Sequence, residues 1–167
     1  MKLVVVKAVT IMVVVAVLGV FFFDGIGRHP YKRDELESEF LAKAAELGAE
    51  HNSTEATLSE EFGNSVTFLL ETEDGERACG TYIRSLFSHK YKEYKYYFGV
   101  NGVLALDDFT YSVSDGAMMY QLNLKFGDNP SIEPGDEVAP LLYYKFAGLC
   151  AISMGVFGSK IFFRKKK

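Results

Sequence analysis

The chain has 167 residues, two cysteines and a formal net charge of −4, which allows one modest domain and no disulfide framework. The small net charge hides an asymmetry. Between Asp24 and Pro140 all 22 acidic residues stand against ten Lys and Arg, a balance of −12, and the other eight basic residues lie in the two ends. So acidic a middle repels polyanions and argues against a nucleic-acid partner.

The first predicted element is residues 3–23, LVVVKAVTIMVVVAVLGVFFF. As a helix it would be about 31 Å long, the thickness of a bilayer's hydrocarbon core. It exceeds the h-region of a signal peptide, and its small-residue site at Val17-Leu18-Gly19 is followed by more apolar sequence, so residues 1–23 are expected to be an uncleaved transmembrane anchor. An acidic α+β domain is expected over 24–127, opening on a turn-rich linker at 24–30. A helix over 31–47 follows from the spacing of Leu36, Phe40, Leu41, Ala44 and Leu47, with Gly48 as its cap. Residues 49–64 are polar and predict a loop with a turn of helix near 58–62.

From Val66 the period becomes alternating. Val66, Phe68 and Leu70 share a face, and Glu73-Asp74-Gly75-Glu76 turns the chain into a second strand over 77–87. A third strand spans 91–98. Asn101-Gly102 predicts a hairpin into 103–113, and Asp115-Gly116 another into 118–126. The strand over 103–113 changes parity between Leu106 and Phe109, which a β-bulge at Asp107-Asp108 would repair. The fold class expected is α+β: one helix packed on a five-stranded antiparallel meander, flanked by N-terminal and C-terminal transmembrane helices.

Residues 128–140, with three prolines, read as a stalk, and residues 141–163 as a second transmembrane helix before a basic tail at 164–167. The basic tail predicts two spans with both termini cytoplasmic and the central domain extracytoplasmic. Asn52-Ser53-Thr54 would then be a glycosylation sequon outside the cytoplasm. In the second span Ala147, Ala151, Gly155 and Ser159 recur every fourth residue, a ridge on which another helix can pack. The partners expected are the lipid bilayer and, through that ridge, a second copy or another membrane protein.

Few residues suggest chemistry. Asp107 and Asp108 are adjacent carboxylates, but neighbours on a strand point to opposite faces and acid–base pairs must converge. Cys79 and His89 lie on opposite flanks of a strand, and His29, His51 and His89 lack partners at ligand spacing. No cofactor and no metal are expected. Residues 89–98 interleave bases with aromatics; in so acidic a domain this reads as a packed strand, with Tyr91, Tyr94, Tyr96 and Tyr97 as a candidate partner surface. The function expected is therefore a non-enzymatic membrane protein presenting its acidic domain for partner or ligand binding, for example as an accessory subunit. The alternative is a membrane-tethered hydrolase or transferase using Asp107 and Asp108.

Overall fold

Residues 65–71, SVTFLLE, place Val66, Phe68 and Leu70 on one side of a strand and Ser65, Thr67 and Leu69 on the other. Such a strand can be covered on both faces, because its hydroxyls are small enough to find partners inside. A computed structural model of the protein describes residues 15, 18–19, 28–48, 56–73, 75–99, 107–115, 117–141 and 143–151. In it β1 (Leu58–Phe62), β2 (Ser65–Glu71), β3 (Arg77–Arg84) and β4 (Tyr91–Phe98) form an antiparallel sheet in the order β1-β2-β3-β4. A second antiparallel sheet holds β5 (Asp108–Ser114), β6 (Met119–Lys125) and β7 (Ser131–Ala139) in the order β5-β6-β7. Helix α1 (Leu36–Glu46) follows a single 3-10 turn at Arg33–Glu35.

The layers follow from the parity of β2 and β3. Val66, Phe68, Leu70, Ala78 and Tyr82 form one core with Leu36, Phe40, Leu41 and Ala44 of α1. Leu69, Cys79 and Ile83 point the other way, into a core with Phe109, Tyr111, Val113, Tyr120, Leu122 and Leu124 of the second sheet. The order is helix, four-stranded sheet, three-stranded sheet. Gly80 sets the helix distance: a Cβ there would lie 2.7 Å from the Phe40 ring, closer than carbon atoms pack.

The five-stranded meander flanked by transmembrane helices is thus corrected, among the described residues, to seven strands in two sheets. Two strands arise from stretches read as loop and stalk. In β1 the residues Ser59, Glu60 and Glu61 are exposed and only its ends are partly covered, so it lacks the alternation that marks a strand. In β7, Pro134 sits where two extra residues bulge the strand, Leu122 pairing Pro134 while Tyr120 pairs Val138. Proline is tolerated there because β7 is an edge. The expected bulge at Asp107-Asp108 is absent, since β5 starts at Asp108 and pairs with β6 in unbroken register; residues 101–106 lie outside the described residues.

The two spans are corrected as well. Among the described residues no helix is long and apolar enough to cross a membrane. The transmembrane and signal-anchor assignments, and the topology with cytoplasmic ends and an extracytoplasmic domain, therefore have no structural support. Apart from Val15, Leu18 and Gly19, residues 3–23 lie outside the described residues, as do Asn52 and residues 152–167. The described C-terminal helical segment covers residues 143–151, and its Tyr143, Tyr144 and Phe146 are exposed.

Candidate functional site

The polar groups between the two sheets are organised at both ends of the sandwich. At one end Asp115, 2% exposed, accepts hydrogen bonds from three backbone N–H groups: Asn64 to Oδ2 at 2.9 Å, Ala117 to Oδ1 at 2.9 Å and Met118 to Oδ1 at 2.7 Å. Gly63 makes room for that carboxylate, with φ at +57° and no side chain; a Cβ would stand 2.6 Å from Oδ2. The Tyr120 hydroxyl donates to the Phe62 carbonyl at 2.9 Å and meets the Ser65 hydroxyl. Hence the β1–β2 and β5–β6 turns are tied across the sheets.

At the other end Arg77 donates from Nε to Glu71 at 2.9 Å and from Nη2 to Asp107 at 2.8 Å, with its guanidinium 5.0 Å from the centre of the Phe126 ring. Glu71 in turn accepts the Gly127 N–H at 2.8 Å. In the middle a ladder of hydroxyls runs through the core: Thr67 meets Thr81 at 2.9 Å, and Thr81 meets the Tyr111 hydroxyl.

The residues singled out in the sequence fall into separate places. Asp107 is spent on Arg77, whereas Asp108 faces outward on β5, so the two carboxylates do not meet. Cys79 is buried in the core with its sulfur 3.9 Å from the Tyr111 oxygen, and burial pushes its thiol up to about 12, which removes it as a nucleophile. His89 sits in the β3–β4 turn, five residues beyond the end of β3.

The four tyrosines divide between the layers, because Tyr94 is an extra residue on β4 where Thr81 pairs Lys95 and Tyr82 pairs Glu93. Tyr91 is buried on the helix side, where Tyr96 also packs, 5.7 Å from the Phe40 ring with its hydroxyl donating to the Phe40 carbonyl at 3.3 Å. Tyr94 and Tyr97 pack toward the second sheet, Tyr97 edge-on to Phe109 and Tyr111. Ala147 and Ala151 lie on the exposed C-terminal helical segment; Gly155 and Ser159 are outside the described residues.

A face that the sequence reading did not single out is the outer side of β5-β6-β7. It curves into a shallow depression of about 720 Å³ whose side chains include Asp108, Thr110, Asn123, Lys125, Ser131 and Glu133. The register aligns them in two rows across the strands, Asp108-Lys125-Ser131 and Thr110-Asn123-Glu133. Thr110 donates to the Asn123 side-chain oxygen at 2.8 Å, which leaves the amide nitrogen for a ligand. Asp108, Lys125 and Glu133 form no ion pair with one another or with any other described residue. The signal for this face was the alternation of β6, which sets Asn123 and Lys125 opposite Leu122 and Leu124; the contribution of β7 was hidden by its prolines.

Among the described residues no three His, Cys, Asp or Glu side chains gather as a metal site. Comparison with protein-family models, with curated proteins and with solved structures finds no match for this chain.

Proposed function

We propose that the protein is a non-enzymatic binding module whose working surface is the outer face of β5-β6-β7. The observation that carries this reading is the set of charges on that face. Asp108, Lys125 and Glu133 converge on one depression without pairing to each other, beside the amide of Asn123 and the hydroxyls of Thr110 and Ser131. A concave surface with both signs of charge and unspent donors suits a polar ligand or a polypeptide segment bearing complementary charges. Among the described residues the first sheet offers no comparable surface, because helix α1 and the second sheet cover its two faces. A hydrolase or transferase built on Asp107 and Asp108 would need both carboxylates at one reacting centre, and Asp107 is held by Arg77 instead.

The test is binding of the full chain to arrayed peptides and glycans. A double variant carrying Asn123→Lys and Lys125→Glu is expected to lose about tenfold in affinity, the equivalent of about 1.4 kcal/mol. Glu39→Lys on the exposed side of α1 is expected to keep the wild-type affinity. Equal binding by the outer-face variant, or turnover of any arrayed ligand, would overturn the reading.

A further inference from the structure

Among the described residues the two sheets end in the strands β1, β4, β5 and β7, and the features that keep an edge from pairing with another chain are unevenly shared between them. On β4 the Tyr91 N–H and C=O are both taken by Tyr31, at 2.8 and 3.1 Å, and Tyr94 bulges the strand. On β7 the extra residues and Pro134 interrupt the ladder. Strand β1 is five residues long, and Arg33 pairs with its Glu61 at 3.6 Å. Strand β5 differs from all three: it holds seven residues, no proline and an unbroken register.

Two flanking bonds settle where the backbone groups of β5 point. The Phe126 N–H donates to the Asp107 carbonyl at 2.8 Å, and the Asp115 N–H donates to the Met118 carbonyl at 3.1 Å. These pairs continue the β5–β6 register on either side, so the odd-numbered residues of β5 carry the ladder to β6. Asp108, Thr110 and Ser112 therefore aim their N–H and C=O groups away from β6, while their side chains are exposed on the outer face. The Ser112 carbonyl accepts a hydrogen bond from the Lys95 ammonium at 3.0 Å, and the ammonium lies 5.3 Å from the centre of the Tyr111 ring. Lys95 thus closes the Ser112 part of the edge. The backbone groups of Asp108 and Thr110 that face away from β6 have no partner among the described residues.

The same two residues bring their side chains to the depression and their backbone groups to its rim. An extended polypeptide offers donors and acceptors at the spacing of such an edge, and alternate side chains of an added strand would stand on the outer face beside Asp108 and Thr110. Charge then selects among polypeptides. A residue opposite Asp108 would extend the row Asp108-Lys125-Ser131, in which the Asp108 carboxylate is its nearest charge. Opposite charges directly across a strand pair are favourable, and like charges are not. The surplus of acids in the middle of the chain attracts the same sign from a distance.

We propose that β5 takes an extended polypeptide segment as an added strand, with a Lys or Arg of that segment opposite Asp108. The inference rests on the outer face being the working surface, and it names the class of ligand that face holds. The backbone groups of Asp108 and Thr110 supply the main-chain bonds, Asp108 supplies the selectivity for a cation, and Lys95 sets the limit of the contact at Ser112.

The test measures binding of the full chain to short peptides of alternating Thr and Val with a central Lys or a central Glu. The Lys-centred peptide is expected to bind about fivefold more tightly, and Asp108→Lys to reverse that preference. Methylating one alternating set of the peptide's backbone nitrogens is expected to weaken binding about tenfold, and methylating the other set to leave it unchanged, because only one set faces β5. Thr110→Pro removes an outward N–H without touching the β5–β6 ladder and is expected to lose about the same factor; circular dichroism checks its fold, and the methylated peptides give the answer independently of it. Equal weakening by both methylated sets, or a preference that Asp108→Lys does not reverse, would overturn the proposal. So would a dimer of the full chain that Thr110→Pro dissociates, since the edge would then belong to a second copy. Binding confined to glycans and lost in the Asn123→Lys and Lys125→Glu double variant would overturn the added strand and keep the outer-face reading. Peptide binding that Thr110→Pro removes and that double variant leaves intact would keep the added strand and overturn the outer-face reading.

Discussion

The two ends of the sandwich join the same pair of sheets by opposite means. At the Asp115 end a buried carboxylate is satisfied by three backbone N–H groups, Gly63 leaves space for it, and Tyr120 reaches across to the Phe62 carbonyl. At the Arg77 end a guanidinium lies between Glu71 and Asp107, and the Asp107 side chain is 76% exposed. Buried backbone donors have no alternative partner and are costly to leave unmade. Exposed ion pairs are screened and can exchange water for protein at little cost. The difference matches what each end carries. The rigid end carries the β1–β2 and β5–β6 turns, which meet through Asp115, and the adjustable end borders the polar depression that begins at Asp108.

The largest test of this comparison is Asp115→Ala. The variant leaves the part-buried N–H groups of Asn64, Ala117 and Met118 without their acceptor, and charge-assisted bonds of this kind are each worth more than neutral ones. We expect about 3 kcal/mol of destabilisation in urea unfolding. Hydrogen exchange should speed up at Asn64 and Met118 but not at Gly127, whose N–H binds Glu71 at the far end. A loss below about 1 kcal/mol, the value of one ordinary hydrogen bond, would mean that the two ends are held alike.

Which parts of this arrangement were legible beforehand follows from which interactions are local. Helix α1 was visible because Leu36, Phe40, Leu41 and Ala44 sit at helical spacing. The strand over 91–98 and the Asp115 turn were visible through alternation and turn residues. By contrast β1 was hidden, because an edge strand with exposed Ser59, Glu60 and Glu61 carries no apolar alternation. The pairing of β7 with β6 was hidden behind prolines that read as a stalk. The division into two sheets was hidden too, since hairpin signals do not say whether the next strand adds to the same sheet or folds over it. The candidate site suffered accordingly. Asp107 and Asp108 stood out as adjacent carboxylates, yet Asp107 belongs to an ion pair with a residue 30 positions earlier, a partner that no local pattern names. Asn123 and Lys125 were on the polar parity of β6, but their grouping with Glu133 needed β7.

Alkaline pH offers a sharper cut, because one end contains a buried phenol. Tyr120 is 4% exposed, and burial pushes its phenol up to about 12, with the bond to the Ser65 hydroxyl acting in the opposite direction. In the unfolded chain a tyrosine ionises near pH 10. Stability from keeping Tyr120 neutral is therefore complete below pH 10 and is lost as pH rises from about 10 to about 12, by roughly 3 kcal/mol. Tyr82, Tyr96 and Tyr111 are raised in the same direction by burial and add to the loss. In Tyr120→Phe the unfolding midpoint should start lower at pH 7, by about 1 kcal/mol for the lost bond to Phe62. It should then fall less steeply than wild type above pH 10. An unchanged slope would show that the hydroxyl reaches water.

The smallest effects are expected at the Arg77 end, and their internal ranking is the informative part. The Arg77 side chain is 14% exposed, Glu71 21% and Asp107 76%. Burial works against the charge on Arg77, but Asp107 and Glu71 together hold it above its usual value. Solvent screens the Asp107 arm, so Asp107→Ala should cost less than about 0.5 kcal/mol and nothing measurable at high salt. Arg77→Ala removes the Glu71 bonds and the guanidinium that lies over the Phe126 ring as well, and should cost about 1–2 kcal/mol. In double-mutant cycles the coupling of Arg77 with Glu71 should therefore exceed that of Arg77 with Asp107. If instead the Asp107 coupling were the larger, the exposed arm would be the element that fixes the second sheet, and the contrast between a rigid end and an adjustable end would collapse.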